Sequence, residues 1–299
     1  MPRLIIHLGF HKTGSTFLQS SLHTTAAKSN PAGFVDGWFV TNAAHEIDKD
    51  KRGGHLLAGK AAPDILAKLR GHLDRNGADC ILSNENLIGP QLGQGNDGKF
   101  YPDAHHMIRF FDQLNDTFEI EYVFYVRRQD RFLESTFLNL VRDGFRGEFS
   151  DYINRIDFKD LNYNKFFNNL KAVTENRILV VPFEIIKGNP TRFLESFTDM
   201  FSPGIVLEQS DNERTSLSKQ GIDIIQTVAP MLSGKDKAKF DRFIAKQFSS
   251  KTHKKKDLFP KFLSELMVSN YAPSNKAMFK NHIDPKFYDV AGEYGVSLA

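Results

Sequence analysis

The stretch RLIIHLGFHKTGSTFLQ, residues 3–19, decides the fold of this 299-residue chain. Its first part, Arg3–Leu8, is a short apolar run rich in isoleucine and leucine, which predicts a buried β-strand. A glycine-containing loop, Gly9–Thr16, follows at once, and apolar residues then recur at helical spacing. A strand, a loop with glycines and a helix in this order indicate the first unit of an α/β sheet.

The rest of the chain continues this alternation and then becomes helical. Strands are predicted at Cys80–Ser83, Glu119–Val126 and Arg177–Val181, with helices between them after Pro63 and at His105–Leu114, Asp130–Arg142 and Tyr163–Val173. Further helices are predicted at Thr191–Phe201, Ser216–Leu232, Lys235–Phe248, Leu258–Val268 and Ala272–Lys280, with a weak strand signal at Ile205–Leu207. The polar segment Thr25–Gly59 is expected to be largely irregular.

These elements predict an α/β fold, in which a central parallel sheet is covered by helices on both faces. We expect a single domain, residues 1–299, with the α/β core in 1–206. A helical C-terminal part, 207–299, is expected to pack on that core.

Composition excludes several classes of protein. With 40% hydrophobic and 25% charged residues, the chain has an ordinary globular composition, not a disordered one. No apolar run approaches the roughly 18 residues that a membrane-spanning helix needs, so no membrane span is expected. Cys80 is the single cysteine, which excludes an internal disulfide and a cysteine-based zinc site. We therefore expect a cytoplasmic protein.

Charge is distributed unevenly along the chain. The formal net charge is +3, yet residues 235–261 hold 10 Lys/Arg against 3 Asp/Glu, so the remainder is slightly acidic. This pattern argues against a nucleic-acid partner, which would require a broad basic face. The basic stretch Lys235–Lys261 is interpreted either as a solvated surface or as a contact for an anionic ligand.

The loop after the first strand carries the groups that bind phosphate. Lys12 supplies a positive charge, the hydroxyls of Thr13, Ser15 and Thr16 supply donors, and the start of the helix supplies backbone N–H groups. Gly9 and Gly14 have the spacing of an ATP-type P-loop, but Ser15 stands where the second part of that motif needs lysine.

In this arrangement HLGFHKTGSTFLQ resembles the 5′-phosphosulfate loop of sulfotransferases that use 3′-phosphoadenosine 5′-phosphosulfate (PAPS). The resemblance implies a P-loop nucleoside-kinase-like fold. It also implies that the 5′-phosphosulfate of PAPS is bound by a continuous run of residues: Lys12, Thr13, Gly14, Ser15, Thr16 and Phe17.

A second motif lies at the end of a central strand. YVRRQDRFLESTF supplies Arg127 and, eight residues on, Ser135, the spacing with which this family reads the 3′-phosphate of PAPS. Gln129 stands where the family usually has proline. An arginine at a strand end can form bidentate, charge-assisted hydrogen bonds to phosphate, and a first-turn hydroxyl would add another donor. Arg214 is a further candidate for contact with PAPS, and Ser216 and Lys254–Lys256 are weaker ones.

The resemblance implies transfer of a sulfuryl group from PAPS to a hydroxyl or amine of a small-molecule or saccharide acceptor, without a metal. Lys12 is then expected to neutralise the leaving phosphate. Glu85, just after the second predicted strand, is the first candidate for the general base. His11 is the second candidate, and His45 or Glu46 the third. Aromatic residues in loops are candidates for acceptor contacts: Trp38, Phe39, Phe100 and Tyr101.

Two other functions remain open at this point. A P-loop kinase or NTPase with a degenerate loop would bind ATP and require Mg²⁺. A non-catalytic nucleotide-binding module would keep Arg127 and Ser135 but would tolerate loss of Lys12 and Glu85. The identity of the acceptor and the oligomeric state also stay open.

Overall fold

Five strands form one parallel sheet in the part of the chain that the structure describes. The computed structural model describes residues 1–29, 33–35, 67, 70–71, 79–95, 97–199, 206–210, 217–250, 252–254 and 258–298. The strands are β1 (Arg3–His7), β2 (Gly33–Val35), β3 (Cys80–Ser83), β4 (Glu119–Val126) and β5 (Arg177–Pro182), in the order β2-β3-β1-β4-β5. All four neighbouring pairs are parallel.

The order of the strands places the first loop at the centre of the molecule. Ile5 of β1 pairs with Ile81 of β3 on one side and with Glu121 of β4 on the other. The loops that follow β1, β3 and β4 therefore leave the sheet at the same edge. At this edge open α/β sheets bind their ligands.

The described helices are distributed along the whole chain. They are α1 (Ser15–Ser29), α2 (Ala104–Asp112), α3 (Gln129–Arg142), α4 (Phe149–Ile153), α5 (Tyr163–Lys171), α6 (Pro190–Thr198), α7 (Lys219–Val228), α8 (Gly234–Gln247) and α9 (Lys261–His282). Short 3₁₀ helices are also present, at Glu85–Ile88, Phe158–Leu161, Phe183–Ile186, Ala229–Met231 and Pro285–Tyr294.

Helices cover both faces of the sheet. Successive residues of a strand point to opposite faces, and Phe124 and Tyr125 of β4 show both coverings. The Phe124 ring packs against Phe167 of α5, with centroids 5.4 Å apart, and the Tyr125 ring packs against Phe193 of α6 at 4.5 Å. The predicted α/β class, a parallel sheet between helices, is confirmed.

The last helix corrects one prediction. The segments Leu258–Val268 and Ala272–Lys280 were expected to form two helices, but a single helix, α9, runs from Lys261 to His282 with Pro273 inside it. A proline there lacks one N–H and disfavours the turn before it. Tertiary contacts on both sides of Pro273 hold the helix: Tyr271 donates to the Phe158 carbonyl, and buried Asn275 exchanges hydrogen bonds with Gln129.

Two further segments differ from the prediction. Helix α1 extends to Ser29 and Gly33–Val35 pairs with β3, so Thr25–Gly59 is regular in its described parts. Within Ile205–Leu207, Val206 and Leu207 are described and lie outside any strand. The predicted helix after Pro63 falls mostly outside the described residues. Its described residues, Ala67, Arg70 and Gly71, are helical.

Candidate functional site

The loop between β1 and α1 is held in an unusual backbone conformation. Gly14 has φ +91°, and a Cβ atom there would lie 2.8 Å from the Phe193 ring, so only glycine fits. Lys12 also has positive φ, 68°, which costs a non-glycine residue about 1 kcal/mol. Hydrogen bonds offset this cost: the Thr13 hydroxyl donates to the Phe10 carbonyl at 2.5 Å, and Phe10 N donates to Tyr125 O of β4 at 3.3 Å.

The Lys12 side chain connects the loop to helix α3. Its Nζ donates to Asn139 Oδ1 at 3.0 Å, and Asn139 in turn donates from Nδ2 to Asp143 at 3.1 Å. The Lys12 carbonyl accepts a hydrogen bond from Arg127 Nη1 at 3.1 Å. A hydrogen bond from the Arg127 side chain to the Lys12 backbone thus joins the two predicted motifs, whose residues are 115 positions apart in the chain.

Arg127 follows the last residue of β4, beside the loop. Its guanidinium lies over the Phe183 ring, 5.0 Å from the centroid. Burial lowers the pKa of the Arg127 guanidinium from its usual value, and the nearby carboxylates of Glu184 and Glu134 oppose that shift. Arginine keeps its charge at any physiological pH, so Arg127 brings a partly desolvated cation to this edge of the sheet.

Three side chains hold the backbone around Arg127, and we call Tyr163, Glu184 and Tyr294 the strand-end clamp. Tyr163 donates to the Arg127 carbonyl at 2.9 Å, and Tyr294 donates to the Val126 carbonyl at 3.1 Å. The buried Glu184 carboxylate accepts from the Arg128 N–H at 3.1 Å and from the Tyr294 hydroxyl. The clamp therefore fixes three consecutive residues at the end of β4.

Ser135 lies farther along α3 than its predicted first-turn position. It is the seventh residue of this helix and therefore belongs to the second turn. Residues four apart share one face of a helix, so Ser135 faces the same way as Asn139, whose side chain bonds Lys12. The Ser135 side chain is half-buried.

The start of α1 offers several donors. Leu18 N–H donates to the Gly14 carbonyl at 3.0 Å, and the N–H groups of Ser15, Thr16 and Phe17 precede this first helical donor. The Ser15 side chain is buried, and its Oγ has no hydrogen-bond partner among the described residues. A buried hydroxyl without a partner is costly and indicates a place for a polar ligand atom.

Glu85 begins the 3₁₀ helix after β3, at the same edge of the sheet. Gln19 of α1 donates from Nε2 to Glu85 Oε2 at 3.1 Å and to the Ser83 carbonyl at 3.3 Å. The Glu85 carboxylate is half-buried and is oriented by this bond. Asn84, which precedes it, caps the turn by accepting from Asn86 N at 2.9 Å.

His11 is buried within a hydrogen-bond network. Its backbone N–H donates to the Tyr101 hydroxyl at 2.9 Å, the same hydroxyl lies 2.8 Å from Nδ1, and Nε2 lies 3.1 Å from Asn86 Oδ1. Because Asn86 Oδ1 can only accept, Nε2 carries the proton and Nδ1 accepts from Tyr101. Burial lowers the pKa of His11. The ring is therefore neutral, with both nitrogens engaged.

Other predicted residues have different outcomes. Arg214 and Ser216 lie outside the described residues, as do His45, Glu46, Trp38, Phe39, Lys255 and Lys256. Lys254 is described, and its carbonyl accepts from Lys219 N at 3.0 Å. Phe100 and Tyr101 lie in a loop, as predicted, but their side chains are buried in an aromatic cluster around Phe10.

The structure adds residues that the motifs did not point to. Asn139 stands four residues after Ser135, so helical spacing from that serine could have indicated it. Gln19, Glu184 and Tyr294 carry no such local signal, because their roles depend on contacts between distant segments.

Among the described residues, no group of three His, Cys, Asp or Glu side chains could hold a metal ion. Within the same residues, no helix is both long and apolar enough to cross a membrane.

The chain was compared with known proteins. It matches no protein-family model, and no curated protein sequence matches it. Among solved structures, it is similar to the crystal structure of a sulfotransferase from Alicyclobacillus acidocaldarius, with 14% sequence identity and a TM-score of 0.42. That similarity covers 84% of this chain and 98% of the sulfotransferase chain.

Proposed function

We propose that this protein is a sulfotransferase that moves a sulfuryl group from PAPS to an acceptor hydroxyl. The observation that carries the proposal is the hydrogen bond between Arg127 and the Lys12 carbonyl. It joins the two motifs that resemble the 5′- and 3′-phosphate sites of PAPS-dependent enzymes. A nucleotide with phosphate at both positions needs two cationic sites on one side of the sheet, and Lys12 and Arg127 supply them.

The first site suits a doubly charged group at the start of α1. The N–H groups of Ser15, Thr16 and Phe17 and the unpartnered Ser15 hydroxyl offer hydrogen bonds to anionic oxygens. The positive end of the helix dipole adds to this attraction. The groups present therefore fit a 5′-phosphosulfate.

Transfer breaks the bond between sulfur and the bridging oxygen of the 5′-phosphate and forms a bond between sulfur and the acceptor oxygen. The electron pair of the broken bond stays with adenosine 3′,5′-bisphosphate. Lys12 stabilises the negative charge that develops on the bridging oxygen. In the structure its Nζ bonds Asn139, so Lys12 exchanges this neutral partner for the developing anion.

The acceptor hydroxyl must lose a proton, and Glu85 is the residue that we assign to accept it. Gln19 bonds Glu85 Oε2, which leaves Oε1 for the acceptor. His11 is less suited to this role, since its Nδ1 lone pair already accepts from Tyr101. We assign His11 to hold the loop against Tyr101 and Asn86.

Calorimetry with adenosine 3′,5′-bisphosphate and with ATP, each with and without Mg²⁺, tests the proposal. We expect the bisphosphate to bind without metal, and Arg127→Ala to weaken it roughly ten- to a hundredfold. Arg177→Ala is the matched control. Arg177 is the first residue of β5 and therefore lies at the amino ends of the strands, away from the loop after β1. If the bisphosphate does not bind at concentrations on the order of tens of micromolar, the proposal is wrong. ATP binding that depends on Mg²⁺ would support a kinase instead.

A further inference from the structure

A cavity of about 410 Å³ lies between α2 and α5, and none of the residues assigned above to PAPS lines it. Its lining includes the buried residues Phe100 and Tyr101 and the half-buried Phe166, together with polar residues from both sides. Its volume falls within the roughly 300–1,000 Å³ of ordinary small-ligand sites.

The cavity wall contacts the loop of the proposed active site. The Tyr101 ring stacks on His11 with centroids 5.8 Å apart, and its hydroxyl bonds that residue. On the same wall, Phe100 and Phe166 pack against Phe10 of the loop at 4.8 and 5.4 Å. A ligand in the cavity therefore lies directly behind the residues that precede Lys12.

The rim combines donors and acceptors with little net charge. Asp160 and Lys165 bring opposite charges, and Asn169 brings an amide that both donates and accepts. Within the described ranges, these three side chains make no hydrogen bond or ion pair. Their polar atoms are thus open to a ligand.

This combination matches a neutral sugar ring better than a phosphate or a carboxylate. A sugar hydroxyl can donate a hydrogen bond to the Asp160 carboxylate, accept one from the Lys165 ammonium group, and do either with the Asn169 amide. The apolar C–H face of a pyranose suits the half-buried Phe166 ring. For an anionic ligand, attraction to Lys165 is opposed by repulsion from Asp160, so this pair gives it no net electrostatic gain.

We propose that the cavity binds a neutral pyranose unit of the acceptor, at a ring other than the one that receives the sulfuryl group. The assignment to the acceptor rests on the proposed function, whereas binding of the sugar itself does not. Saccharide binding is therefore measured first in the absence of any nucleotide.

The probe is cellobiose, whose equatorial hydroxyls leave flat faces for stacking, and sorbitol is the control ligand with similar hydroxyls but no ring. Saturation-transfer NMR and calorimetry at up to about 10 mM detect Kd values near 1 mM. We expect cellobiose to bind and sorbitol not to bind. In Asp160→Ala/Asn169→Ala, which loses two polar contacts, cellobiose affinity should fall roughly tenfold. Lys159→Ala, an exposed neighbour of Asp160 outside the cavity, should bind as the wild type does.

Each contrary result has a separate meaning. Equal cellobiose affinity in the double variant and the wild type, or equal binding of sorbitol, overturns the cavity assignment. Adenosine binding that the double variant loses would show a nucleoside site and overturns the saccharide. If cellobiose binds as expected while adenosine 3′,5′-bisphosphate does not, the cavity site stands and the proposed sulfotransferase fails.

Discussion

Replacing Tyr294 with phenylalanine should weaken recognition of the 3′-phosphate without touching the nucleotide. Tyr294 belongs to the 3₁₀ helix Pro285–Tyr294, and its hydroxyl bonds both the Val126 carbonyl and the Glu184 carboxylate. Without that hydroxyl, Glu184 still accepts from the Arg128 N–H, and Tyr163 still donates to the Arg127 carbonyl. The hydrogen bond to the Val126 carbonyl is lost. Arg127 then samples more orientations, so fewer molecules hold it ready for a phosphate.

The magnitude follows from the type of bond. A hydrogen bond to a buried charged group contributes roughly 1.5–3 kcal/mol, and we expect Tyr294→Phe to lower the free energy of unfolding by about that amount. Tyr122→Phe is a matched control: the Tyr122 hydroxyl bonds Asp112 Oδ1 at 2.7 Å and the Ile108 carbonyl at 3.1 Å. Tyr122 lies on β4, and Tyr122→Phe should lower the free energy of unfolding by a similar amount.

The assay separates positioning from stability. We define the 3′-phosphate ratio as the affinity for adenosine 3′,5′-bisphosphate divided by that for adenosine 5′-phosphate, both from calorimetry. Tyr294→Phe should reduce this ratio by about three- to tenfold, corresponding to roughly 0.6–1.4 kcal/mol. Tyr122→Phe should leave it unchanged, and Arg127→Ala should reduce it the most. The reasoning is refuted if Tyr294→Phe keeps the wild-type ratio, or if Tyr122→Phe lowers it equally.

Two further changes test other parts of the site, and a third tests the pH dependence of stability. Lys12→Met should lower kcat by about a hundredfold or more in a sulfuryl-transfer assay, since the leaving oxygen loses its cation; a wild-type kcat would contradict this. Glu85→Gln should lower kcat by about a hundredfold or more yet bind adenosine 3′,5′-bisphosphate normally, and wild-type turnover would exclude Glu85 as the base. Burial lowers the pKa of His282 to about 4, so this histidine is neutral when folded but protonates when unfolded near pH 6.5. Stability from this group is therefore present above pH 6.5 and is lost as the pH falls toward 4, by about 2 kcal/mol at pH 5. His282→Gln should flatten chemical-denaturation stability between pH 7 and 5, and an unchanged slope would contradict the shift.

Contiguous parts of the site were predictable from sequence because local chemistry determines them. The first strand, its loop and the start of α1 form one run, and the apolar pattern, glycines and hydroxyls all indicate a phosphate-binding turn. The bounds of β4 were predicted as observed, Glu119–Val126, because a long apolar run between polar ends leaves little alternative. By contrast, α9 was predicted as two helices, and long-range packing on both sides of Pro273 holds it as one.

Parts of the site formed by contact between distant residues were not predictable. The adjacency of Lys12 and Arg127 requires β1 to pair with β4 rather than only with β3, and strand order is not written in the spacing of either motif. The orientation of Glu85 depends on Gln19, 66 residues earlier, and the clamp depends on Tyr294, 168 residues after Val126. Such contacts leave no periodic signal in the sequence.

This difference should affect how the two proposed phosphate sites respond to mutation. The residues of the site at Lys12 form one local turn, which is held by backbone hydrogen bonds to β4. The site at Arg127 depends on the C-terminal 3₁₀ helix through Tyr294 and on α5 through Tyr163. Substitutions in those remote elements should therefore reduce discrimination for the 3′-phosphate before they affect binding at the loop. Under the proposed function, the C-terminal 3₁₀ helix should therefore affect nucleotide specificity through its contacts with the end of β4.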